Sequence, residues 1–120
     1  MNPVGTGSFS LNRKAYSTTG SNSFAAGTEV TASGPNSHAE GNNTTASNSA
    51  AHAEGTNTTA SGMSAHAEGN GSRATGNCAH AEGQTTTASG NYSHSEGYLT
   101  TASGYASHAE GVYTLAYSSH

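Results

Sequence analysis

Six His and six Glu stand in pairs two residues apart, and each pair follows the last by 14 residues. The pairs are His38/Glu40, His52/Glu54, His66/Glu68, His80/Glu82, His94/Glu96 and His108/Glu110. An imidazole beside a carboxylate suits metal binding, acid–base catalysis or a hydrogen-bonded ladder. Catalysis needs one rung to differ from the others. Here every His, every Glu and the Ser near them are repeat positions, so no triad stands out and enzymatic activity is not expected. Six identical rungs read as a structural ladder at an interface between chains. Metal binding and a solvated face are the alternatives, and no metal or cofactor is assigned.

The ladder needs an element that brings every fourteenth residue to one face. The string SHAEG, or a close variant, begins at Ser37, Ala51, Ala65, Ala79, Ser93 and Ser107, with SFAAG at Ser23. Seven coils therefore tile residues 23–120. The fifth position is always Gly, from Gly27 to Gly111, and the tenth always Ala, from Ala32 to Ala116. Disordered linkers hold no such phase. Each coil reads S-H-A-E-G-x-x-T-T-A-S-G-x-x: two alternating runs of five, each followed by two turn residues. Recurrent Gly and β-branched Thr, without a 3.6-residue period, exclude a helix. The fold class is all-β, a β-solenoid of stacked parallel coils about 4.8 Å apart, roughly 34 Å for the set. Residues 1–22 read as an irregular N-terminal cap, in which Ser8-Phe9-Ser10-Leu11 resembles SFAAG one residue out of register.

Small residues at positions 1, 3 and 5 and at 8, 10 and 12 are expected to face a narrow interior. His and Glu at 2 and 4, and Thr and Ser at 9 and 11, then face outward. Hydrophobic residues are only 31% of the chain, and Trp is absent. So thin a core calls for a disulfide, a metal or association. The single cysteine, Cys78, rules out an internal disulfide. A net charge of −4 with three Lys and Arg excludes a nucleic-acid partner. No apolar run is long enough for membrane insertion. Unpaired Glu stacked at strand spacing would repel, so association through the His/Glu face is expected, with Phe24 keeping an apolar position at its N-terminal end.

The 14-residue coil resembles the head repeat of YadA-like trimeric adhesins, whose first strand carries S-V-A-I-G and whose second carries small residues. The resemblance covers residues 23–120 and implies a left-handed parallel β-roll, three copies of which form a homotrimer. It places the Val and Ile positions of the family, here His and Glu, on the threefold axis. The expected trimer interface is His38, Glu40, His52, Glu54, His66, Glu68, His80, Glu82, His94, Glu96, His108, Glu110 and Phe24. The SHAEG variant is also similar to tail-fibre and appendage repeats of phages and prophages of Gram-positive bacteria. The implied function is a rigid spacer or receptor-facing head in a trimeric fibre, extracellular, on a bacterial cell surface or a phage virion. Glu held by His across the axis would resist protonation, and the interface would weaken in acid.

Two further features stand outside the ladder. Tyr98, Leu99, Tyr105, Tyr113, Leu115 and Tyr117 crowd the C-terminal coils. They read first as an end cap or junction, and otherwise as a patch for a host-surface glycan or protein receptor. The column Thr31, Thr45, Thr59, Thr87 and Thr101, beside a Ser column, suggests an ice-binding β-solenoid as the alternative function. Arg73 interrupts that column, and Leu115 ends it.

Overall fold

In the computed structural model, which describes residues 5–13 and 18–118, parallel strands stack in register along one axis. The first strands are β1 (Phe9–Arg13), β2 (Phe24–Ala32), β3 (His38–Asn42) and β4 (Thr45–Ala46). The alternation of five- and two-residue strands then continues through β5 (His52–Thr56), β6 (Thr59–Ala60), β7 (His66–Asn70), β8 (Arg73–Ala74), β9 (His80–Gln84) and β10 (Thr87–Ala88). It ends with β11 (His94–Tyr98), β12 (Thr101–Ala102), β13 (His108–Ala109) and β14 (Leu115–Ala116). Odd strands from β3 to β13 form one wall and even strands from β4 to β14 the other. The long strand β2 belongs to both. The molecule measures 44 × 21 × 16 Å. Among the described residues no helix is long and apolar enough to cross a membrane.

The strand pairs are parallel, and from β2 onward each is offset by one coil, so like residues stack on like: His38 on His52, Ala39 on Ala53, Gly41 on Gly55. The same ladder runs through the turns. The amide of Asn57 donates to the Asn42 carbonyl at 2.9 Å, and that of Ala50 to the Pro35 carbonyl at 2.9 Å. Turn backbone that would otherwise lie unpaired is thereby satisfied. Positions 7 and 14 take the left-handed conformation in coil after coil, as at Asn43 (φ 57°) and Ala50 (φ 55°). The preference for Ser at position 1 has a local cause. Its hydroxyl closes the preceding turn, as Ser93 Oγ does on the Gly90 carbonyl at 2.6 Å.

The core is a set of methyl columns. Ala39, Ala53, Ala67 and Ala81 from one wall, and Ala46, Ala60, Ala74 and Ala88 from the other, are fully buried. Positions 1, 3, 8 and 10 face inward as expected. Position 5 does not. Gly41, Gly55, Gly69, Gly83, Gly97 and Gly111 are exposed, with φ between 103° and 115°. The strand has already begun to turn there, and stacking leaves no room for a side chain. The second wall also differs from an alternating run of five, since only positions 9 and 10 pair as strand. At the N-terminal end, β1 pairs with β2 from Phe9–Phe24 to Leu11–Ala26, and the register then shifts. Phe9 and Phe24 are 15 residues apart, one more than the coil. The expected irregular cap, residues 1–22, lies partly outside the described residues.

Position 8 shows where the core is imperfect. Val30 fills it in the first coil with no exposure. Thr44 and Thr58 fill it in the next two, and their hydroxyls are buried without a hydrogen-bond partner. Thr86 differs, donating to Ser72 Oγ at 3.0 Å. A buried hydroxyl without a partner costs about 1 kcal/mol or more, whereas valine of similar shape costs nothing of that kind. Thr44→Val and Thr58→Val are each expected to stabilise the fold by about 1 kcal/mol. Thr86→Val is expected to destabilise it by about as much. Urea unfolding of the three variants checks the contrast.

Candidate functional site

Strand alternation puts position 3 inside and positions 2 and 4 outside on the same wall. The six His therefore form one column and the six Glu a second beside it. The imidazoles stack face on face. Ring centroids are 4.4 Å apart for His38–His52, 4.5 Å for His52–His66 and 4.9 Å for His94–His108, the last pair within 1° of parallel. Phe24 continues the column beyond His38 at 4.6 Å, its ring tilted by 54°, and Phe9 stacks on Phe24 at 5.1 Å. The aromatic column thus begins with two apolar rings, and the expected interface residue Phe24 is placed in line with the His.

The Glu column knits the rungs together. Glu54 Oε2 lies 3.7 Å from His52 Nε2, and its Oε1 lies 3.7 Å from His66 Nε2. Glu68 spans His66 and His80 at 3.8 and 3.6 Å, and Glu82 spans His80 and His94 at 3.7 and 3.4 Å. Glu96 spans His94 and His108 in the same way, at 3.8 and 3.5 Å. His/Glu pairing was expected between subunits, yet each chain already places them beside one another along its own ladder. These groups are about one third exposed through the middle of the ladder, rising to 71% at Glu110.

Proximity of like groups sets the protonation. Burial first, and then neighbouring imidazoles, hold His52, His66 and His80 below the usual histidine value. Along the Glu column the direction alternates. Hydrogen bonds from Glu68 lower Glu54 and Glu82, while the same contacts, led by Glu82, raise Glu68 to about 7. Glu96 is raised too, first through Glu82. Adjacent carboxyls thus titrate as a coupled set. Within one chain the largest influence on each of these four carboxyls is a neighbouring Glu, ahead of any His, and its direction reverses between Glu54 or Glu82 and Glu68 or Glu96.

That reversal is testable. The pKa of Glu68 in the fold, about 7, lies above its ordinary 4.5. Its contribution to stability is therefore complete below about pH 4.5 and is lost as pH rises through about 7. Glu68→Gln imitates the protonated carboxyl and can still donate to Glu54 and Glu82. In chelator-containing buffer the variant should melt higher than the parent at high pH, and the two should converge in mild acid. An equal gap at both ends would show that Glu68 does not titrate in this window.

A groove runs beside the ladder for its whole length, floored by the exposed Gly column and walled by Glu. Its signal was legible in the sequence as an invariant Gly directly after each Glu, although the Gly residues were assigned to the core. The C-terminal residues do not gather into one patch. Tyr98 packs edge-on against Tyr113, with centroids 5.8 Å apart, at the turn after the first wall, where Leu99 also lies. Tyr105 packs edge-on against Tyr92, at 5.3 Å, at the opposite turn. Leu115 and Tyr117 are exposed on the Thr/Ser wall. On that wall Arg73 stands exposed between Thr59 and Thr87.

A coil of this length, with stacked two-wall geometry, small inward residues and a position-5 Gly, can be compared with known repeat families. The YadA head domain repeat matches in two copies, over residues 31–47, 53–79 and 95–117, more than half of the chain. The chain belongs to that family. No curated protein matches its sequence. As a YadA head repeat, the roll is a structural, adhesin-like segment. Its His/Glu wall occupies the positions at which the resemblance to the family places Val and Ile.

Proposed function

We propose that this YadA head repeat is a rigid segment of a homotrimeric extracellular fibre, with three His/Glu walls packed about a common axis. The observation that carries it is the continuous wall of six His/Glu rungs, with its groove, running the length of a roll whose buried side chains are almost all alanine, serine and threonine. Burying methyl columns stabilises little per residue, at about 25 cal/mol per Å2 of apolar area, so association supplies what the core lacks. The buried Nε2 atoms of the ladder have no hydrogen-bond partner within the chain, which favours a face that is completed by something else. The interface comprises the six His, the six Glu and Phe24. Phe9 extends the apolar end of the column.

Such a trimer suits a bacterial cell surface or a phage tail fibre, where repetition gives length and the closed backbone ladder resists proteases. Receptor contact, to a host glycan or protein, would fall on the exposed tyrosines of the last coils. Catalysis has no place in this function, because every rung repeats one motif. Ice binding has no observation in its favour, since Arg73 breaks the hydroxyl column.

Light scattering after size exclusion at pH 7.5 should give three chain masses. Lys at His52, His66 and His80 together would place like charges on the axis and should give monomers. Lys at Thr45, Thr59 and Thr87, on the opposite wall, should leave the trimer intact. A monomeric parent chain, or a trimer that survives the His variants but not the Thr variants, would overturn the assignment.

A further inference from the structure

The Nε2 atoms of His38, His52, His66, His80 and His94 are buried and make no hydrogen bond. From His66 onward, each Nε2 sits between carboxylate oxygens of two successive coils. The distances are 3.7 and 3.8 Å at His66, 3.6 and 3.7 Å at His80, 3.4 and 3.8 Å at His94, and 3.5 and 3.8 Å at His108. Most of these exceed an N–H···O hydrogen bond, which centres at about 2.9 Å. They suit two donors on one metal ion. Two bonds of about 2.1 Å, meeting at a tetrahedral to trigonal angle, put their donors about 3.4 to 3.6 Å apart. His, Glu and His or Glu atoms converge in this way on successive rungs.

We propose that the ladder binds divalent transition-metal ions of the zinc class, each held by one imidazole Nε2 and one oxygen from each flanking Glu. His94 with Glu82 and Glu96, and His108 with Glu96 and Glu110, are such sets, and His66 and His80 each have two flanking carboxylates at similar distances from Nε2. One imidazole per ion follows from the stacking. The His66 and His80 rings lie 4.8 Å apart and within 4° of parallel. Their in-plane lone pairs run side by side and do not converge on one ion. Glu54, Glu68, Glu82 and Glu96 each serve two rungs, one oxygen to each, as Glu68 does for His66 and His80. With one carboxylate per rung, two carboxylates balance one divalent ion. Ions on adjacent rungs would lie about one strand spacing apart, ~4.8 Å, and would repel. Alternate rungs therefore fill, two of the four complete sets in each chain. Water completes each ion on the groove side. Every set lies within one chain, so the site does not depend on the trimer.

The test uses the full chain, stripped with chelator and titrated with Co2+ as a visible probe and with Zn2+ by calorimetry. The expected result is a visible Co2+ spectrum without a thiolate charge-transfer band, saturation at two ions per chain, and displacement by Zn2+ with a rise in melting temperature. The double variant Glu68→Gln, Glu96→Gln removes one donor from all four complete sets. With its circular dichroism unchanged, it should bind Co2+ at least about 100-fold more weakly, since even outer-shell losses cost 10- to 100-fold. Cys78→Ser should bind as the parent does. The proposal is overturned by a parent chain with no Co2+ spectrum, by a spectrum that Cys78→Ser abolishes, or by full binding in a folded double variant.

Discussion

Gly69→Ala should destabilise the roll by about 3 kcal/mol or more. Gly69 has φ +103°, a conformation that L side chains rarely adopt, and a methyl group built there would overlap the Gly83 carbonyl oxygen in the next coil. The obstruction is backbone, which cannot swing aside as a side chain can. The next coil could escape only by moving along the axis, which would break the register of Gly69 with Gly83 and of Asn70 with Gln84. Two positions later, Gly71 provides the contrast. It has φ +74°, and its nearest neighbour is a Thr85 side-chain atom at 3.6 Å. Asn43 and Asn57 occupy the same phase at φ 57°. Gly71→Asn should therefore change stability by less than about 1 kcal/mol. Urea melts of the two variants decide the matter, and equal loss in both would remove the stacking explanation.

Ala67→Leu is expected to destabilise by about 3 kcal/mol, the upper part of the range for overpacking. Ala67 is fully buried in the alanine cluster between the walls. Both walls are tied to their neighbours by a continuous backbone ladder, so three extra carbons cannot be absorbed by separating one coil. Ala67→Ser is the mild counterpart. Ser95 already occupies this phase, buried, with its hydroxyl 2.7 Å from Thr100 Oγ1 five residues on. Ser72 stands five residues after Ala67 and could take the same part. The serine variant should lose no more than about 1 kcal/mol. If Leu and Ser variants melt together, the interior is wider than its alanine columns imply.

Much of this molecule is legible in one coil. The 14-residue period sets the stacking, because a strand ladder pairs like residues only when every coil has the same length. Alternation within S-H-A-E sets which face each residue takes, so the His/Glu wall follows without coordinates. The 15-residue step between Phe9 and Phe24 likewise announces the shifted register at β1. Legibility failed where the backbone leaves the regular strand. Gly41 and its equivalents continue the alternation on paper, yet their positive φ turns them outward. The second wall keeps only two residues in strand geometry, because the following Ser-Gly segment bends toward the turn.

The sequence by itself determined the solenoid, the methyl core and the two outward columns, since these depend on periods of two and fourteen that recur in every coil. Only the tertiary structure decided how the columns interact. Whether Glu68 would face His66, His80 or another Glu depends on side-chain reach across a single strand spacing, and no repeat pattern encodes that reach. Stacking at that spacing brings each carboxyl from Glu54 to Glu96 near two imidazoles and two other carboxyls at once. It therefore makes neighbouring Glu titrate as a coupled set, although their coils share one motif.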